Sequence, residues 1–220
     1  MGQTKYADNS SYLIELVSAL EKEWPENKTI NIVCHGHSVP AGYHKTPAVR
    51  PFKSYPHLLH VALKERFPHA VLNVIVTAIG GEHSVAGAKR FSEDVLSLSP
   101  DLILIDYGLN DRRAGLEPAA LAWQEMIQKS KEANIPVILL TPTADQKADM
   151  LSDQDVLSQH AKQIRMLAKE NKVGLADSYA AVVEYLKSGN DITSIMSQVN
   201  HPNRQGHEMV VEELLKWFPE

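Results

Sequence analysis

The sequence predicts a three-layer α/β domain built on a parallel sheet, and two observations lead to that fold class. Short, β-branched-rich apolar runs alternate with longer segments of helical periodicity along the 220 residues. Strands that are apolar on both faces are typical of a sheet buried between helix layers, and repeated strand–helix–strand units favour parallel pairing. Neither a repeat nor a linker divides the chain. We therefore expect a single domain over residues 1–220, with residues 1–28 as a helical extension packed on it.

Each predicted strand is a short run with few charged residues. These runs are TINIVC (29–34), VLNVIVT (71–77), DLILID (101–106), IPVILL (135–140) and KVGLA (172–176). The segments around them carry apolar residues at helical spacing, which predicts helices within 12–20, 55–63, 84–98, 118–133, 153–170, 178–187 and 204–218. Ser152 and Asp155 stand at the spacing of a capping box and mark the start of the 153–170 helix.

Composition limits the class of protein and its partners. Apolar residues make up 44% of the chain and charged residues 22%, which is ordinary for a globular protein. A net charge of −5 argues against a nucleic-acid partner, and no apolar run approaches the ~20 residues of a membrane span. The polar start MGQTKYADNSS does not resemble a signal peptide, and Cys34 is the single cysteine. We expect a cytoplasmic protein with no nucleic-acid or membrane partner, and the oligomeric state stays open.

Polar residues follow the first three predicted strands and precede the last helix. Ser38 follows the first strand, Gly81 the second and Asn110 the third, while His201 stands at the entrance to the last helix. Ligands of open parallel sheets bind at the carboxyl ends of the strands, so the first three residues should converge there. His201 joins them if the last helix packs beside the first strand. A hydroxyl, an imidazole, a side-chain amide and glycine N–H groups are the inventory for acyl transfer.

These four segments resemble the sequence blocks of the SGNH (GDSL-type) hydrolase superfamily. GHSVPAG at 36–42 is similar to the family's GDS-x-x-x-G, Gly81 matches the block II glycine, GLND carries the block III Asn110, and His201 precedes Pro-Asn as in block V. The resemblance implies a flavodoxin-like five-stranded sheet of order 2-1-3-4-5 and no cofactor. It also implies that Ser38 attacks an acyl carbonyl and that His201 is the general base. The Ser38 and Gly81 N–H groups and the Asn110 amide would then form the oxyanion hole.

The chain departs from the family pattern beside the histidine. The family places an aspartate three residues before it, to orient the imidazole, but Gln198 stands there, and a shift of one residue gives Ser197. Loss of that carboxylate costs a serine protease about 10⁴-fold in turnover, although a backbone carbonyl can fix the same tautomer. Asp177 or Asp191 could also supply the charge. We therefore expect a Ser–His dyad whose third member is open.

A metal site is the competing interpretation of the first loop. His35 and His37 have the spacing that places both rings on one side of a strand, and His44, His83 or His207 would complete a ligand set. His37 also stands where the family has the aspartate of its first block. The chain contains neither an H-E-x-x-H nor a CxxC pattern, so we expect no metal.

Substrate specificity is expected in the long loops at 39–53, 112–117 and 141–152. The sequence predicts no apolar lid segment. We therefore expect short-chain acyl esters as substrates rather than long-chain lipids, for example O-acetyl groups of carbohydrates or small-molecule esters. Two other functions are compatible with the same residues. One is an acyltransferase with the same acyl-enzyme and an acceptor other than water. The other is a catalytically impaired glycan-binding module, in which the missing carboxylate reflects lost catalysis.

Overall fold

A computed structural model describes residues 7–219, so the first six residues of the predicted extension lie outside the described part. One five-stranded parallel sheet has the order β2-β1-β3-β4-β5, which confirms the order that the resemblance implied. Its strands are β1 (Thr29–Gly36), β2 (Val71–Val76), β3 (Leu102–Asp106), β4 (Val137–Leu140) and β5 (Gly174–Ala176). Each lies within two residues of a predicted run at both ends.

Helices cover both faces of the sheet. They are α1 (Ile14–Leu20), α2 (Tyr55–Arg66), α3 (Ser84–Asp94), α4 (Gly108–Asp111), α5 (Leu116–Glu132), α6 (Val156–Asn171), α7 (Ser178–Lys187) and α8 (Arg204–Leu215). Helices α1, α2, α7 and α8 pack on one face, α3 and α5 on the other, and α6 contributes to both cores. Along β3, Leu102 and Leu104 enter the first core and Ile103 and Ile105 the second, as the alternation of side chains along a strand requires. Within residues 7–219, no helix is long and apolar enough to cross a bilayer.

The described part of the N-terminal extension packs on the sheet domain. Leu16 and Leu20 of α1 are buried in the first core. The Tyr12 hydroxyl lies 3.2 Å from the Val137 carbonyl oxygen and 3.0 Å from the Val137 backbone nitrogen, and its ring meets Trp217 edge-on. These contacts tie the extension to β4.

The capping prediction for α6 was wrong in its position. The helix begins at Val156, and its N-cap is Asp155, whose extended backbone lets the carboxylate accept a hydrogen bond from the Leu157 N–H at 2.7 Å. Ser152 instead accepts from the Gln154 N–H in the turn before the helix. An aspartate directly before the helix satisfies the exposed N–H groups of the first turn without a capping box.

The packing of the last helix brings the C-terminal part of the chain to the catalytic edge. Helix α8 packs against α2 and α7, and its Val210 and Leu214 belong to the same buried cluster as Ile30 and Ile32 of β1. The Tyr55 N–H, at the start of α2, donates to Nδ1 of His207 in α8 at 3.2 Å. Since α2 follows the Ser38 loop, this packing holds the two ends of the site together. A short antiparallel pair that the sequence did not predict, β6 (Met196–Gln198) and β7 (His201–Pro202), carries His201.

Candidate active site

Ser38 lies in a tight turn at the carboxyl end of β1. The Ser38 carbonyl accepts a hydrogen bond from the Tyr43 N–H at 3.0 Å, and the His37 carbonyl accepts from the Ala41 N–H at 3.3 Å. Gly36 permits the approach of β1 to β3, because a Cβ there would lie 2.4 Å from the Asp106 carbonyl oxygen. The turn therefore presents the Ser38 hydroxyl at the sheet edge where the sequence placed it.

His201 is in hydrogen-bonding contact with Ser38. Nε2 of His201 lies 3.0 Å from the Ser38 hydroxyl oxygen, and both side chains are nearly buried. Burial lowers the pKa of His201 below its ordinary value, partly offset by the hydrogen bond to the His44 carbonyl. The unprotonated imidazole, which can accept a proton from a hydroxyl, is therefore the dominant form at neutral pH.

Two neutral groups face the other nitrogen of His201. Nδ1 lies 3.1 Å from the His44 carbonyl oxygen and 2.7 Å from the amide nitrogen of Gln198. Gln198 is itself oriented by Thr46, whose backbone N–H donates to the amide oxygen at 2.9 Å and whose hydroxyl accepts from the amide nitrogen at 3.2 Å. The amide therefore presents N–H groups, and not its oxygen, to the imidazole.

These two neighbours favour opposite tautomers of His201. The His44 carbonyl accepts only from a proton on Nδ1, which leaves the Nε2 lone pair free to accept the Ser38 proton. The Gln198 amide donates to Nδ1 only when the proton is on Nε2, and that tautomer cannot act as a base towards Ser38. The effect of Gln198 on the imidazole is therefore opposite to that of the expected aspartate. Its amide neither accepts a hydrogen bond from Nδ1 nor compensates the positive charge of the imidazolium.

The other candidates for a third member have different partners. Asp177 pairs with Arg165 at 2.7 Å and accepts from the Thr141 hydroxyl at 2.9 Å. Asp191 is exposed and accepts from the Thr193 N–H at the start of a short 3₁₀ turn. The Ser197 hydroxyl donates to the backbone carbonyl of His201, not to its ring. The orientation of the imidazole therefore depends on His44 and Gln198.

The predicted oxyanion donors lie on loops that contact each other. The Asn110 side-chain amide donates to the Glu82 carbonyl at 2.9 Å, which joins the loop after β3 to the loop after β2. Gly81 has a φ of +79°, in the left-handed region that favours glycine, and space is open where its Cβ would lie. The Arg113 guanidinium donates to the Gly81 carbonyl. Gly81 and Asn110 are therefore held beside an open space at the sheet edge.

Asp111 anchors the short helix that carries Asn110. One of its carboxylate oxygens accepts from the Ser84 N–H at 2.8 Å, and the other accepts from the Trp123 indole at 2.7 Å. Asp111 is fully buried, and these bonds connect α4 to the start of α3 and to α5. The aspartate of the GLND segment thus has a structural role beside the amide of Asn110.

Sequence reasoning missed Glu82, which fixes the loop after β2. Its carboxylate oxygens accept from Arg90 at 2.9 Å and from the Tyr107 hydroxyl at 2.8 Å. The Tyr107 hydroxyl lies 3.1 Å from Nε2 of His35, so the network extends into the sheet. Burial raises the pKa of Tyr107 and lowers the pKa of His35 to about 4, so both stay neutral near pH 7.

His37 faces a negative charge that comes from β3. Its Nδ1 accepts from the Val39 N–H at 3.2 Å, and its Nε2 lies 3.3 Å from a carboxylate oxygen of Asp106. Both side chains are inaccessible to solvent. Asp106 of β3 is therefore the carboxylate nearest to the ring at position 37, where the family has its first-block aspartate. Since His35 joins the Tyr107 network instead, the two histidines do not share a ligand, and residues 7–219 contain no group of three His, Cys, Asp or Glu side chains placed to hold a metal.

This sheet order, with a serine after its first strand in contact with a histidine near the C-terminus, defines the class of α/β serine hydrolases. Residues 34–209 match the family described as GDSL-like lipase/acylhydrolase. The chain belongs to that family and is a carboxylic ester hydrolase.

The chain is similar to several acetylxylan esterases. One from Geobacillus stearothermophilus is 22% identical over 70% of this chain and 75% of its own length. A crystal structure of an acetylxylan esterase from that organism has a TM-score of 0.75, at 19% identity over 87% of this chain and 94% of the other. Structures of its catalytic mutants replace a serine, an aspartate and a histidine by alanine. The structure of a second acetyl xylan esterase has a TM-score of 0.72 at 28% identity, over 84% of this chain and 98% of its own.

Proposed function

We propose that this protein removes short acyl groups, acetyl above all, from hydroxyl groups of carbohydrates through an acyl-enzyme on Ser38. The observation that carries the proposal is the 3.0 Å contact between the Ser38 hydroxyl and Nε2 of His201, with Nδ1 placed to donate to the His44 carbonyl. The similarity to acetylxylan esterases supports acetylated carbohydrate as the substrate class.

In the acylation half-reaction, the Ser38 oxygen attacks the ester carbonyl carbon while His201 accepts the hydroxyl proton on Nε2. The carbonyl oxygen becomes an oxyanion that receives hydrogen bonds from the Ser38 N–H, the Gly81 N–H and the Asn110 amide. One such donor is typically worth about 3–4 kcal/mol of barrier. The tetrahedral intermediate then breaks its bond to the alcohol oxygen, which takes the proton from Nε2 and leaves.

Deacylation repeats the sequence with water. Nε2 of His201 takes a proton from the attacking water, the oxyanion forms again, and the Ser38 oxygen recovers the proton as acetate departs. Because the pKa of His201 is lowered by burial, kcat/KM should rise with pH through a value below 6.5 and be level above it.

The test combines covalent labelling with acetate release. A fluorophosphonate probe should add once to the protein, on Ser38, and acetylated xylo-oligosaccharides should release acetate. Ser38→Ala should lose the adduct and turnover, and His201→Ala should lower both rates by several orders of magnitude. Ser188→Ala, in the turn after α7, is the matched control and should behave as wild type.

Three outcomes would contradict the proposal. A protein that stays unlabelled and releases no acetate is not a serine esterase. Hydrolysis that survives Ser38→Ala requires a different nucleophile. Acetyl transfer to an added alcohol that outcompetes hydrolysis in water would identify an acyltransferase that uses the same acyl-enzyme.

A further inference from the structure

Tyr43 closes one flank of the catalytic site. Its ring centroid lies 5.9 Å from that of His201, and a Cβ on Gly80 would lie 2.6 Å from the Tyr43 hydroxyl oxygen. Its backbone N–H donates to the Ser38 carbonyl at 3.0 Å. The Tyr43 side chain thus lies against His201 and the loop of the proposed oxyanion hole, and its backbone is hydrogen-bonded to the backbone of Ser38.

The backbone around Tyr43 is fixed by its own hydrogen bonds. Tyr43 pairs with Val49 in an antiparallel bridge, and the Arg50 N–H donates to the Gly42 carbonyl at 2.7 Å. Gly42 has a φ of +86°, and a Cβ there would lie 2.7 Å from the Cα of Pro51. This closed hairpin holds the phenol ring as a fixed wall rather than a mobile loop side chain.

The other flank of the site is open. A cleft of about 570 Å³ begins at Asn110 and at Asn200, which directly precedes His201, and its lining includes Arg113 and Lys147. Tyr43 and Gly80 lie outside that lining. The cleft therefore starts beside Asn110, whereas Ser38 and His201, which are also outside its lining, lie on the side of Tyr43.

In the tetrahedral intermediate, the former carbonyl carbon is bonded to the Ser38 oxygen and carries four substituents. These substituents must fit between Tyr43 and the open cleft. The Ser38 oxygen and the oxyanion are fixed by the protein, and the alcohol oxygen must reach Nε2 of His201. A sugar chain attached to that oxygen needs the open cleft, which leaves the acyl carbon directed to the wall. We propose that Tyr43 is the acyl-site wall that restricts this enzyme to acetyl and similarly short acyl groups. The inference rests on the proposed function, since it assigns the acyl side of the same site.

The test measures kcat/KM for 4-nitrophenyl acetate, butanoate and octanoate. Wild type should prefer acetate, and Tyr43→Ala should raise the octanoate-to-acetate ratio by at least about tenfold, because one methylene in a tight pocket is worth about 10- to 200-fold. Tyr43→Phe keeps the ring and should keep the wild-type ratio. Phe52→Ala is the matched control, since Phe52 lies in the same loop but contacts His57 edge to face.

A second pair of variants tests the contact itself. Gly80→Ala should displace the Tyr43 ring and lower acetate turnover in the wild-type background, but should have little effect in the Tyr43→Ala background, where the clash is gone. If Tyr43→Ala unfolds, Tyr43→Leu gives the same comparison with a shorter side chain.

The outcomes separate this inference from the proposed function. An unchanged acyl-chain ratio in a folded Tyr43→Ala enzyme that still requires Ser38 overturns the acyl-site wall alone. The absence of Ser38-dependent hydrolysis in wild type overturns the proposed function instead. Equal effects of Gly80→Ala in both backgrounds would show that Tyr43 does not pack where the structure places it.

Discussion

The oxyanion end and the base end of this site are held in place by different chemistry. At the oxyanion end, the Glu82 carboxylate accepts hydrogen bonds from Arg90 and Tyr107, and the Glu82 carbonyl accepts from Asn110. Hydrogen bonds to an ionised acceptor are roughly twice as strong as those between neutral groups. The proposed oxyanion donors are therefore ordered before substrate binds.

At the base end, the imidazole of His201 meets only neutral partners on Nδ1. The His44 carbonyl favours the tautomer that can accept the Ser38 proton, and the Gln198 amide favours the other one. If the proposed mechanism holds, the barrier should therefore depend more on hydrogen bonds to the oxyanion than on a charged partner for the base. Asn110→Ala at the oxyanion end and Gln198→Glu at the base end should therefore change activity in opposite directions.

The largest effect is expected at the oxyanion end. Asn110→Ala should lower kcat by about 10²- to 10³-fold and leave KM nearly unchanged, because this donor acts on a charge that exists only in the transition state. Steady-state kinetics with 4-nitrophenyl acetate measure both constants. The control is Asn190→Ala, in the turn after α7, where an asparagine donates to the Tyr185 carbonyl far from the site. A loss confined to KM would contradict the assignment.

At the base end, Gln198→Glu should increase activity. A carboxylate at this position accepts from Nδ1–H, keeps the hydrogen bond from the Thr46 N–H, and stabilises the imidazolium. We expect kcat/KM to rise at least about tenfold, below the ceiling of about 10⁴-fold set by loss of the aspartate in a serine protease. The acid limb of the pH profile should also move to higher pH, because the new charge raises the pKa of His201.

Gln198→Ala separates the two contributions at Nδ1. It removes the opposing amide and leaves the His44 carbonyl, so activity should change by no more than a few-fold. A loss as large as that of Asn110→Ala would show that Gln198 supports the base rather than opposes it. Both variants should be compared at pH 7 and at pH 5, where protonation of His201 competes with catalysis.

The two ends also differ in how far the sequence predicted them. The apolar runs predicted all five strands within two residues, because buried strands need continuous hydrophobic sequence. The blocks placed Ser38 and His201 in the predicted contact, although His201 arrives on a strand pair that is too short to leave a periodic signal.

The supports of the site were not predictable in the same way. The partner of His201 is a backbone carbonyl, which any residue at position 44 would supply, so no side-chain pattern marks it. Glu82 and Tyr107 are 25 residues apart and meet across the end of the sheet, although β1 lies between the strands that precede them. Tertiary placement, and not local sequence, creates both supports.

Glu82→Gln should weaken the oxyanion end by a smaller amount. The change places an amide N–H against donors from Arg90 and Tyr107 and should cost about 1.5–3 kcal/mol of unfolding free energy. Since Asn110 contacts the Glu82 backbone, kcat should fall less than tenfold with KM unchanged. Asp94→Asn is the control, because Asp94 pairs with the same arginine at 2.9 Å, is 40% exposed and lies away from the loop. Equal losses in both variants would assign the effect to Arg90 alone.

The pH dependence of the unfolding free energy should reveal one buried histidine at each end of the site. Burial lowers the pKa of His35, in the oxyanion network, to about 4, and that of His207, which accepts from the Tyr55 N–H, to about 3. The ordinary pKa of histidine is about 6.5, so below that value the unfolded chain binds protons that the folded chain excludes. The stability that each neutral histidine provides is therefore full above pH 6.5 and is lost as the pH falls towards its folded pKa.

Each histidine should contribute a slope of at most about 1.4 kcal/mol per pH unit, and the two slopes should end at different pH values. Urea unfolding at pH 7, 6, 5 and 4 measures them. His207→Asn keeps an acceptor for the Tyr55 N–H and should flatten the acid slope over the whole range, whereas His35→Asn should flatten it down to about pH 4. An unchanged slope in His207→Asn would mean that α2 and α8 separate before His207 takes up a proton. In that case the packing of α2 against α8 would be the first part of the site to open.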